Sequence, residues 1–258
     1  MTAKRMIRPE GDRRSGMRRF YAPDLAGKDT IELSPEESRH ASSVLRLKEG
    51  DVIGLFDGKG VSATGIVLGR SGKRLRVAVT PVREAGTAGP RITLAVAAIR
   101  PERMELIIQK ACELGAAAIA PLMTERSIIR LSKDRWQAKT AKWRRTALES
   151  CKQCGRAEAP VVEEPRPFRD FINDRIAFDG IILPTLAREG IPLHRAFSTI
   201  KGNRLLILIG PEGDFTPDEA ALAVSKGAQS VTLGSLVMRS ETAALYVLAA
   251  AQFYWQSR

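Results

Sequence analysis

Predicted strands and helices alternate from residue 91 onward, and few folds accommodate that alternation. "RITLAVAAI" (91–99) is a predicted strand, and "PERMELIIQKACELG" (101–115) is a predicted helix with Gly115 as its stop signal. "AAIAPLM" (117–123) follows as a second strand. Because a strand, a helix and another strand this closely spaced normally form a parallel pair, the sequence predicts an α/β domain with a mostly parallel sheet.

The rest of this predicted domain, residues 91–258, continues the same pattern. Its other predicted strands are "GIILPT" (180–185), "RLLILIG" (204–210) and "SVTLG" (230–234). Its other predicted helices run from Asp134 to about Gln153, from the capping box of Thr216 and Glu219 to Gly227, and through "ETAALYVLAAAQFYW" (241–255). The last of these helices is apolar nearly all round, so we expect it to be buried.

Short strands dominate the first part of the chain, and residues 18–84 are predicted to form a small β-barrel with a basic face. "DVIGLFDGKGVSATGIVL" (51–68) places Gly58 and Gly60 between apolar runs, which is typical of a hairpin. One helix interrupts the strands, with Ser34 and Glu37 as its predicted capping box and an end expected near Gly50. Residues 85–90 are rich in small residues and helix breakers and are interpreted as a linker.

The composition indicates a folded, strongly basic protein. Among 258 residues, 41 are Lys or Arg and 29 are Asp or Glu, which gives a net charge of +12. This excess suits a polyanion, most often nucleic acid, although a basic protein without such a partner is the alternative. No apolar run approaches the roughly 20 residues of a membrane-spanning helix, and residues 1–17 are interpreted as a basic, flexible extension without a secretory signal. Three cysteines are too few for a disulfide scaffold, so a reducing, cytoplasmic location is expected.

Three predicted loops follow strands of the sheet, at residues 183–185, 210–213 and 233–243. Ligands of parallel sheets bind beyond the carboxyl ends of the strands, so these loops are candidates for a binding site. The middle loop, "GPEG", fits neither a GxxxxGK[ST] phosphate loop nor a GxGxxG dinucleotide motif, and its Glu212 would repel a phosphate. A ligand with positive charge, such as S-adenosylmethionine with its sulfonium and amino groups, fits better. An ordinary turn before a helix is the alternative.

Segments along almost the whole chain resemble one known family. They are "RRFYAPDL" (18–25), "HASSVLRLKEGD" (40–51), "ERMELIIQKACELG" (102–115), "ERS" (125–127), "KQCGR" (152–156), "LLILIGPEGDFTPDE" (205–219) and "LGSLVMRSETAAL" (233–245). In this order and spacing they resemble the RsmE family of ribosomal RNA uridine-N3 methyltransferases, in the SPOUT superfamily. Asp214 departs from the family pattern, which often has a glycine at that position.

The resemblance implies a fold, a reaction and partners. The expected fold is a PUA-like N-terminal barrel followed by a SPOUT α/β domain with a deep trefoil knot, which is an exception to the rule against threaded connections. The expected reaction is S-adenosylmethionine-dependent methylation of uridine N3 in small-subunit (16S) ribosomal RNA. Ribosomal RNA or the 30S ribosomal subunit is the expected partner, and a homodimer with the cofactor near the subunit interface is expected, without a membrane or a metal.

The resemblance also assigns roles to individual residues. The expected cofactor-binding residues are Leu183, Gly210, Pro211, Glu212, Gly213, Leu233, Gly234, Val237 and Met238. The expected catalytic residues are Arg239, Glu241 and Thr242. The expected RNA-binding residues are Arg19, Arg39, His40, Arg46, Arg103, Lys110, Arg126, Gln153 and Arg156.

The chemistry of N3 methylation explains why an arginine and a glutamate are candidates. N3 must lose its imide proton, and the resulting negative charge is shared with the flanking carbonyl oxygens. A guanidinium such as that of Arg239 favours this anion, and Glu241 is a candidate either to orient Arg239 or to accept the proton. A structural arginine–glutamate pair at the start of the last helix is the alternative. Likewise, each basic residue assigned to RNA is, taken singly, also explained as a solvated charge.

Cys151 and Cys154 form a CxxC motif, which elsewhere signals metal or redox chemistry. A structural zinc needs four ligands, and only Cys112, His40 and His194 remain, scattered along the chain. We therefore expect no metal, with Cys151 in the core and Cys154 at a helix end near the site.

Two other functions are compatible with parts of the sequence. An RNA-binding ribosome-assembly factor would keep the cofactor fold but transfer no methyl group. The intact "LGSLVMRSETA" loop argues against this function. A small-molecule enzyme with a nucleotide cofactor would leave the predicted barrel and the positive charge unexplained.

Overall fold

The chain divides into two compact units, Met1–Ala85 and Gly86–Arg258. The structure, a computed structural model, describes residues 17–80, 83–84, 89–127, 129, 131–174, 178–186 and 190–256. The predicted basic extension therefore lies outside the described residues except for Met17, as does the predicted linker except for Gly89 and Pro90.

A six-stranded sheet forms the first unit. Its strands are Arg19–Tyr21 (β1), Thr30–Glu32 (β2), Val52–Phe56 (β3), Val61–Ser71 (β4), Arg74–Val79 (β5) and Arg83–Glu84 (β6). They are ordered β1-β3-β4-β5-β2, with β6 also paired to β4. The antiparallel pairing of β3 with β4 confirms the predicted hairpin. Alternation in β5 buries Leu75 and Val77 and exposes Arg74 and Arg76, because successive side chains of a strand point to opposite faces.

The helix of the first unit is shorter than predicted. The α-helix Pro35–Arg39 (α1) begins after the predicted N-cap, Ser34, whose hydroxyl accepts a hydrogen bond from Glu37 N. A π-helical turn, His40–Val44, follows, and the helical segment ends at Leu45 rather than near Gly50. Ser42 Oγ donates to the Ser38 carbonyl oxygen, and such side-chain bonds to the backbone compete with regular helical pairing.

The second unit contains an eight-stranded sheet, and all the strand pairs among its described residues are parallel. Its strands are Arg91–Ala97 (β7), Ala118–Met123 (β8), Val161–Val162 (β9), Arg166–Pro167 (β10), Gly180–Pro184 (β11), Ile191–Pro192 (β12), Arg204–Ile209 (β13) and Ala228–Thr232 (β14). They are ordered β10-β8-β7-β13-β11-β14-β12, with β9 paired to β8. The prediction of an α/β fold with a mostly parallel sheet is thus confirmed.

Helices cover both faces of this sheet. They are Pro101–Glu113 (α2), Lys133–Cys154 (α3), Phe168–Asn173 (α4), Leu193–Thr199 (α5), Pro217–Ser225 (α6) and Ser240–Gln256 (α7). One core cluster joins the sheet to α2, α3, α5 and α7, and a second joins it to α4 and α6. Within the described residues, no helix is both long enough and apolar enough to cross a bilayer.

The last helix, α7, is not buried all round as predicted. Ala244, Val247, Leu248 and Ala251 are buried, whereas Tyr246 and Phe253 are 46% and 76% exposed. Ala249 and Thr242 are exposed as well and lie on the same side of the helix, so an apolar stripe faces outward. Apolar composition alone does not distinguish a side that packs on the core from a side left uncovered.

A buried glutamate fixes the start of α6. Thr216 and Glu219 form the predicted capping box, so that prediction is confirmed. Glu219 Oε2 accepts a hydrogen bond from Thr216 N at 3.0 Å, and its Oε1 accepts one from Glu125 N at 2.9 Å. The side chain is only 2% exposed, so both oxygens depend on these backbone donors rather than on water. Glu219 thereby ties α6 to the loop that follows β8.

We expect Glu219→Gln to lower the free energy of unfolding by about 1–3 kcal/mol, because the amide NH₂ group would leave one buried backbone N–H without an acceptor. Chemical denaturation measures this change. The matched control is Asp218→Asn, which makes the same change of charge on an exposed side chain and should cost less than about 1 kcal/mol. Equal losses in the two variants would contradict a structural role for the Glu219 carboxylate.

Candidate functional site

Three loops at the carboxyl edge of the sheet enclose a cavity of about 420 Å³. They follow β13, β11 and β14, which are adjacent in the sheet in that order. Because these strands are parallel, their carboxyl ends lie on one edge. The lining residues are Pro184, Thr185, Leu186, Gly210, Pro211, Glu212, Asp214, Thr232, Leu233, Gly234, Ser235, Leu236, Val237, Met238, Ser240 and Ala243. A cavity of this size accommodates a small organic ligand or cofactor.

Side-chain hydrogen bonds hold the three loops to one another. Ser240 Oγ, in the first turn of α7, donates to the Gly210 carbonyl oxygen at 2.8 Å. Asp214 Oδ2 accepts from Leu186 N at 3.0 Å and from Thr185 Oγ1 at 3.4 Å, and its Oδ1 accepts from Phe215 N at 2.8 Å. Asp214 has a φ of 60°, in the left-handed region that Asp tolerates better than most residues. These bonds shape the cavity.

Arg103, at the start of α2, bridges two carboxylates. Its Nη1 lies 3.0 Å from Glu212 Oε1, and its Nε lies 3.6 Å from Glu241 Oε1. The arginine therefore connects the loop after β13 with the first turn of α7. The other oxygen of Glu241, Oε2, is buried and has no hydrogen-bond partner among the described residues.

The expected cofactor-binding residues divide into two groups. Gly210, Pro211, Glu212, Leu233, Gly234, Val237 and Met238 line the cavity. Leu183 is 1% exposed and packs in the core instead, because it precedes the loop by one strand position. Gly213 lies next to lining residues, and its carbonyl oxygen accepts a hydrogen bond from Arg126 Nη1.

The expected catalytic residues lie at the junction of the last loop and α7. Arg239 is exposed and has no ion pair within the part of the chain that the structure describes. Glu241 is buried and pairs with Arg103, so the pairing of Glu241 with Arg239 that we considered is not formed. Thr242 is exposed in the first turn of α7.

Several lining residues are absent from the expected set. Leu186, Asp214, Ser235 and Leu236 line the cavity together with the expected residues. Ser235 and Leu236 lie within the loop "LGSLVMRSETA", and Asp214 directly follows "GPEG", so loop membership was the available signal. Leu236 and Val237 are each 79% exposed, which leaves this side of the cavity open.

The basic residues of the second unit assigned to RNA have varied surroundings. Arg126 and Arg156 donate to backbone carbonyl oxygens, Arg156 to Cys112 O and Ala116 O at 2.9 Å each. Lys110 pairs with Glu113 at 2.9 Å, Arg103 pairs with the two glutamates, and Gln153 is exposed. Arg156 thus closes the turn after α2, a structural task that sequence spacing did not indicate.

A basic groove lies in the first unit. Arg39 lines it together with Arg70, Lys73, Ser42 and Ser43, and Glu36 is its acidic member. His40 is exposed and its ring lies 6.3 Å from the Phe20 ring, while Arg19 places its guanidinium 5.3 Å from the Phe56 ring centre. Arg46 is exposed with a φ of 54°, just beyond the π-helical turn.

The cysteines lie together at the interface of α2 and α3. Cys112 Sγ and Cys151 Sγ are 3.4 Å apart and both residues are fully buried, so Cys151 is in the core as predicted. The hydrogen bond with Cys151, together with burial, raises the pKa of Cys112 to about 12. A hydrogen bond with Cys112 likewise raises the pKa of Cys154. At neutral pH the thiols of Cys112 and Cys154 are therefore protonated, and a protonated thiol is a poor nucleophile.

Comparison with known proteins assigns both units. Residues 87–252 match the RNA methyltransferase domain family, and residues 33–80 match the RNA methyltransferase PUA domain family. Ribosomal RNA small subunit methyltransferase E of Synechocystis is 30% identical over 90% of this chain and 76% of that protein. The protein of the same name from Mycobacterium tuberculosis is 31% identical over 90% of this chain and 89% of its own length.

Solved structures agree with these matches. Ribosomal RNA small subunit methyltransferase E from Neisseria gonorrhoeae, bound to S-adenosyl methionine, has a TM-score of 0.82 at 30% identity, covering 93% of this chain and 98% of that chain. A Legionella pneumophila structure in complex with the cofactor SAM has a TM-score of 0.80 at 31% identity, covering 92% and 98%. From these matches, the chain belongs to the ribosomal RNA small subunit methyltransferase E family of RNA methyltransferases.

Proposed function

We propose that this protein transfers a methyl group from S-adenosylmethionine to N3 of a uridine in 16S ribosomal RNA. The observation that carries the proposal is the cavity formed by three loops at the carboxyl edge of the parallel sheet. Family membership supports the reaction class, and the Neisseria gonorrhoeae relative is bound to the same cofactor. The acidic and apolar lining fits a ligand that carries an adenosine and a positively charged sulfur.

Different lining residues contact different parts of the cofactor in this proposal. The glycines Gly210 and Gly234 let the backbone approach a ligand closely, and their peptide groups provide donors and acceptors. Leu233, Val237 and Met238 supply apolar walls, and Glu212 supplies negative charge. When bound, S-adenosylmethionine supplies the methyl group from its sulfonium, and the sulfur becomes a neutral thioether.

Arg239 and Glu241 are the groups that prepare the uridine. The N3 lone pair becomes available for the new N–C bond only when the imide proton leaves, and the anion spreads over the neighbouring carbonyl oxygens. Arg239 is exposed and adjoins Met238 and Ser240, which line the cavity, and this position supports a role for its guanidinium in stabilising the anion. Glu241 is the candidate acceptor of the proton, but its Oε2 is buried and makes no hydrogen bond among the described residues, so the turn must open before a uridine reaches it. Thr242, also exposed in this turn, is the third residue assigned here.

Electrostatic attraction brings the RNA to each unit. In the first unit, Arg39, Arg70 and Lys73 surround the groove and suit phosphate groups, with the hydroxyls of Ser42 and Ser43 as added donors. The other residues that we assign to RNA binding are Arg19, His40 and Arg46 in the first unit. In the second unit they are Arg103, Lys110, Arg126, Gln153 and Arg156. Specific choice of the target comes from a splayed-out uridine, since side chains cannot read the deep, narrow major groove of helical RNA.

The resemblance also implies finer features of the fold and assembly. We propose that residues 18–84 form a PUA-like barrel and that the second unit contains the deep trefoil knot. The matches to the RNA methyltransferase domain and PUA domain families support both features. We further propose a cytoplasmic homodimer. Support for the dimer comes from the exposed apolar stripe of α7 and from Leu236 and Val237, which are exposed beside the cavity.

The test of the function is a methyl-transfer assay. Purified protein, labelled S-adenosylmethionine and small ribosomal subunits that lack the modification should yield labelled 16S RNA, with N3-methyluridine identified by mass spectrometry. A ribosome-assembly factor without transfer activity would bind the subunits and incorporate no label. Label in a small molecule rather than in RNA would instead identify the alternative enzyme class.

We expect Arg239→Ala to lower kcat by about 10²–10³-fold while cofactor affinity changes little, because the lost guanidinium acts on the reacting uridine. Arg239→Lys should recover part of the rate, since it keeps the charge but not the planar donor fork. Single-turnover kinetics and calorimetry measure the two effects separately. Arg195→Ala, an exposed arginine of α5 outside the cavity lining, is the matched control. Equal losses of rate and cofactor affinity would assign Arg239 to cofactor binding instead.

We expect Phe253→Glu to convert the homodimer into monomers, because the charge would be buried in an apolar contact between two copies of α7. Sedimentation equilibrium measures the mass. Val224→Glu is the matched control, since Val224 is also an exposed apolar residue, 50% exposed, but belongs to α6. A monomeric wild-type protein, or a dimer that Phe253→Glu leaves intact, would contradict the assignment of this stripe.

A further inference from the structure

The two carboxylates of the cavity differ in how their charge is balanced. Glu212 lies 3.0 Å from the Arg103 guanidinium, which offsets its negative charge. Asp214 accepts hydrogen bonds from neutral groups, the backbone N–H groups of Leu186 and Phe215 and the hydroxyl of Thr185. No ion pair of Asp214 occurs within the described part of the chain.

The arginine next to the Asp214 loop does not bind the Asp214 carboxylate. The Arg126 guanidinium donates to the carbonyl oxygens of Gly213 and Phe215 on either side of Asp214, rather than to its carboxylate. Over the ranges that the structure describes, no Lys, Arg or His lines the cavity. Within the described residues Asp214 therefore has no ion-pair partner, and a ligand in the cavity experiences its charge.

We propose that Asp214 is a specificity-determining residue whose charge makes the site prefer the sulfonium-bearing donor to the neutral thioether product. This inference rests on the proposed function. S-adenosylmethionine and S-adenosylhomocysteine share the adenosine and the amino acid, and their charge differs by one unit at sulfur. An unbalanced carboxylate distinguishes the two by Coulomb attraction, whereas contacts to the shared parts do not.

Preference for the charged ligand also affects turnover. After transfer the sulfur is neutral, so the attraction to Asp214 is lost at the moment when the product must leave. The site is therefore less inhibited by accumulated product than a site with balanced charge. Asp214 makes this contribution in addition to its hydrogen bonds, which hold the loop around Leu186 whichever ligand is bound.

The test is calorimetric titration of wild-type protein and Asp214→Asn with each of the two ligands. Asn tolerates the left-handed backbone and keeps one carbonyl acceptor, so it removes the charge with little change of shape. The ratio of the product Kd to the donor Kd should fall by about three- to tenfold, the size of a partly screened charge interaction. Loosening of the loop weakens both ligands alike and cancels in the ratio.

Two controls separate charge from structure. Asp218→Asn makes the same change of net charge on an exposed side chain outside the cavity lining and should leave the ratio unchanged. For wild-type protein the ratio should also fall as salt is raised, because the screening length shrinks from about 10 Å at 0.1 M to about 3 Å at 1 M. The salt titration needs no variant, so it tests the charge preference of the site even if Asp214→Asn fails to fold, and the variant assigns that preference to Asp214.

The outcomes also distinguish this inference from the proposed function. If both ligands bind and the ratio is insensitive to Asp214→Asn and to salt, Asp214 is a structural clamp and the charge preference is wrong, while the function stands. If neither ligand binds to wild-type protein, the proposed function fails and this inference fails with it.

Discussion

Parallel pairing brings the carboxyl ends of β11, β13 and β14 to a single edge, and the loops that leave this edge need hydrogen-bond partners outside the sheet. Side chains of the loops and of the first turn of α7 supply such partners. Ser240 donates to the Gly210 carbonyl oxygen, and Asp214 accepts from the Leu186 N–H. The loops around the cavity are therefore joined to one another, which reduces the ordering cost of binding. The cavity depends on this constraint.

Arg103 connects the two chemical tasks of the site. The same guanidinium contacts Glu212, which lines the proposed donor cavity, and Glu241, the proposed proton acceptor. One cation thus serves both carboxylates and holds the loop after β13 next to the first turn of α7.

Periodicity predicted most of the architecture, because strand alternation, helical spacing and capping residues are local properties. The β3–β4 hairpin, the parallel pairing of β7 with β8 and the capping box at Thr216 followed from a few neighbouring residues each. Loop positions after parallel strands likewise predicted where the cavity lies. Contacts between distant residues were not predictable: Arg103 and Glu212 are 109 residues apart, and spacing does not specify that approach. The π-helical turn and the exposed stripe of α7 were also not predicted from the sequence, because both depend on what surrounds the helix.

The backbone at Asp214 restricts which residues that position accepts. Its φ of 60° suits glycine, asparagine and aspartate and strains most other residues. Of these three only aspartate is charged, and only aspartate offers two carboxylate oxygens to the N–H groups of Leu186 and Phe215. A single exchange within this short repertoire therefore alters both the electrostatics of the site and the fastening of its loops.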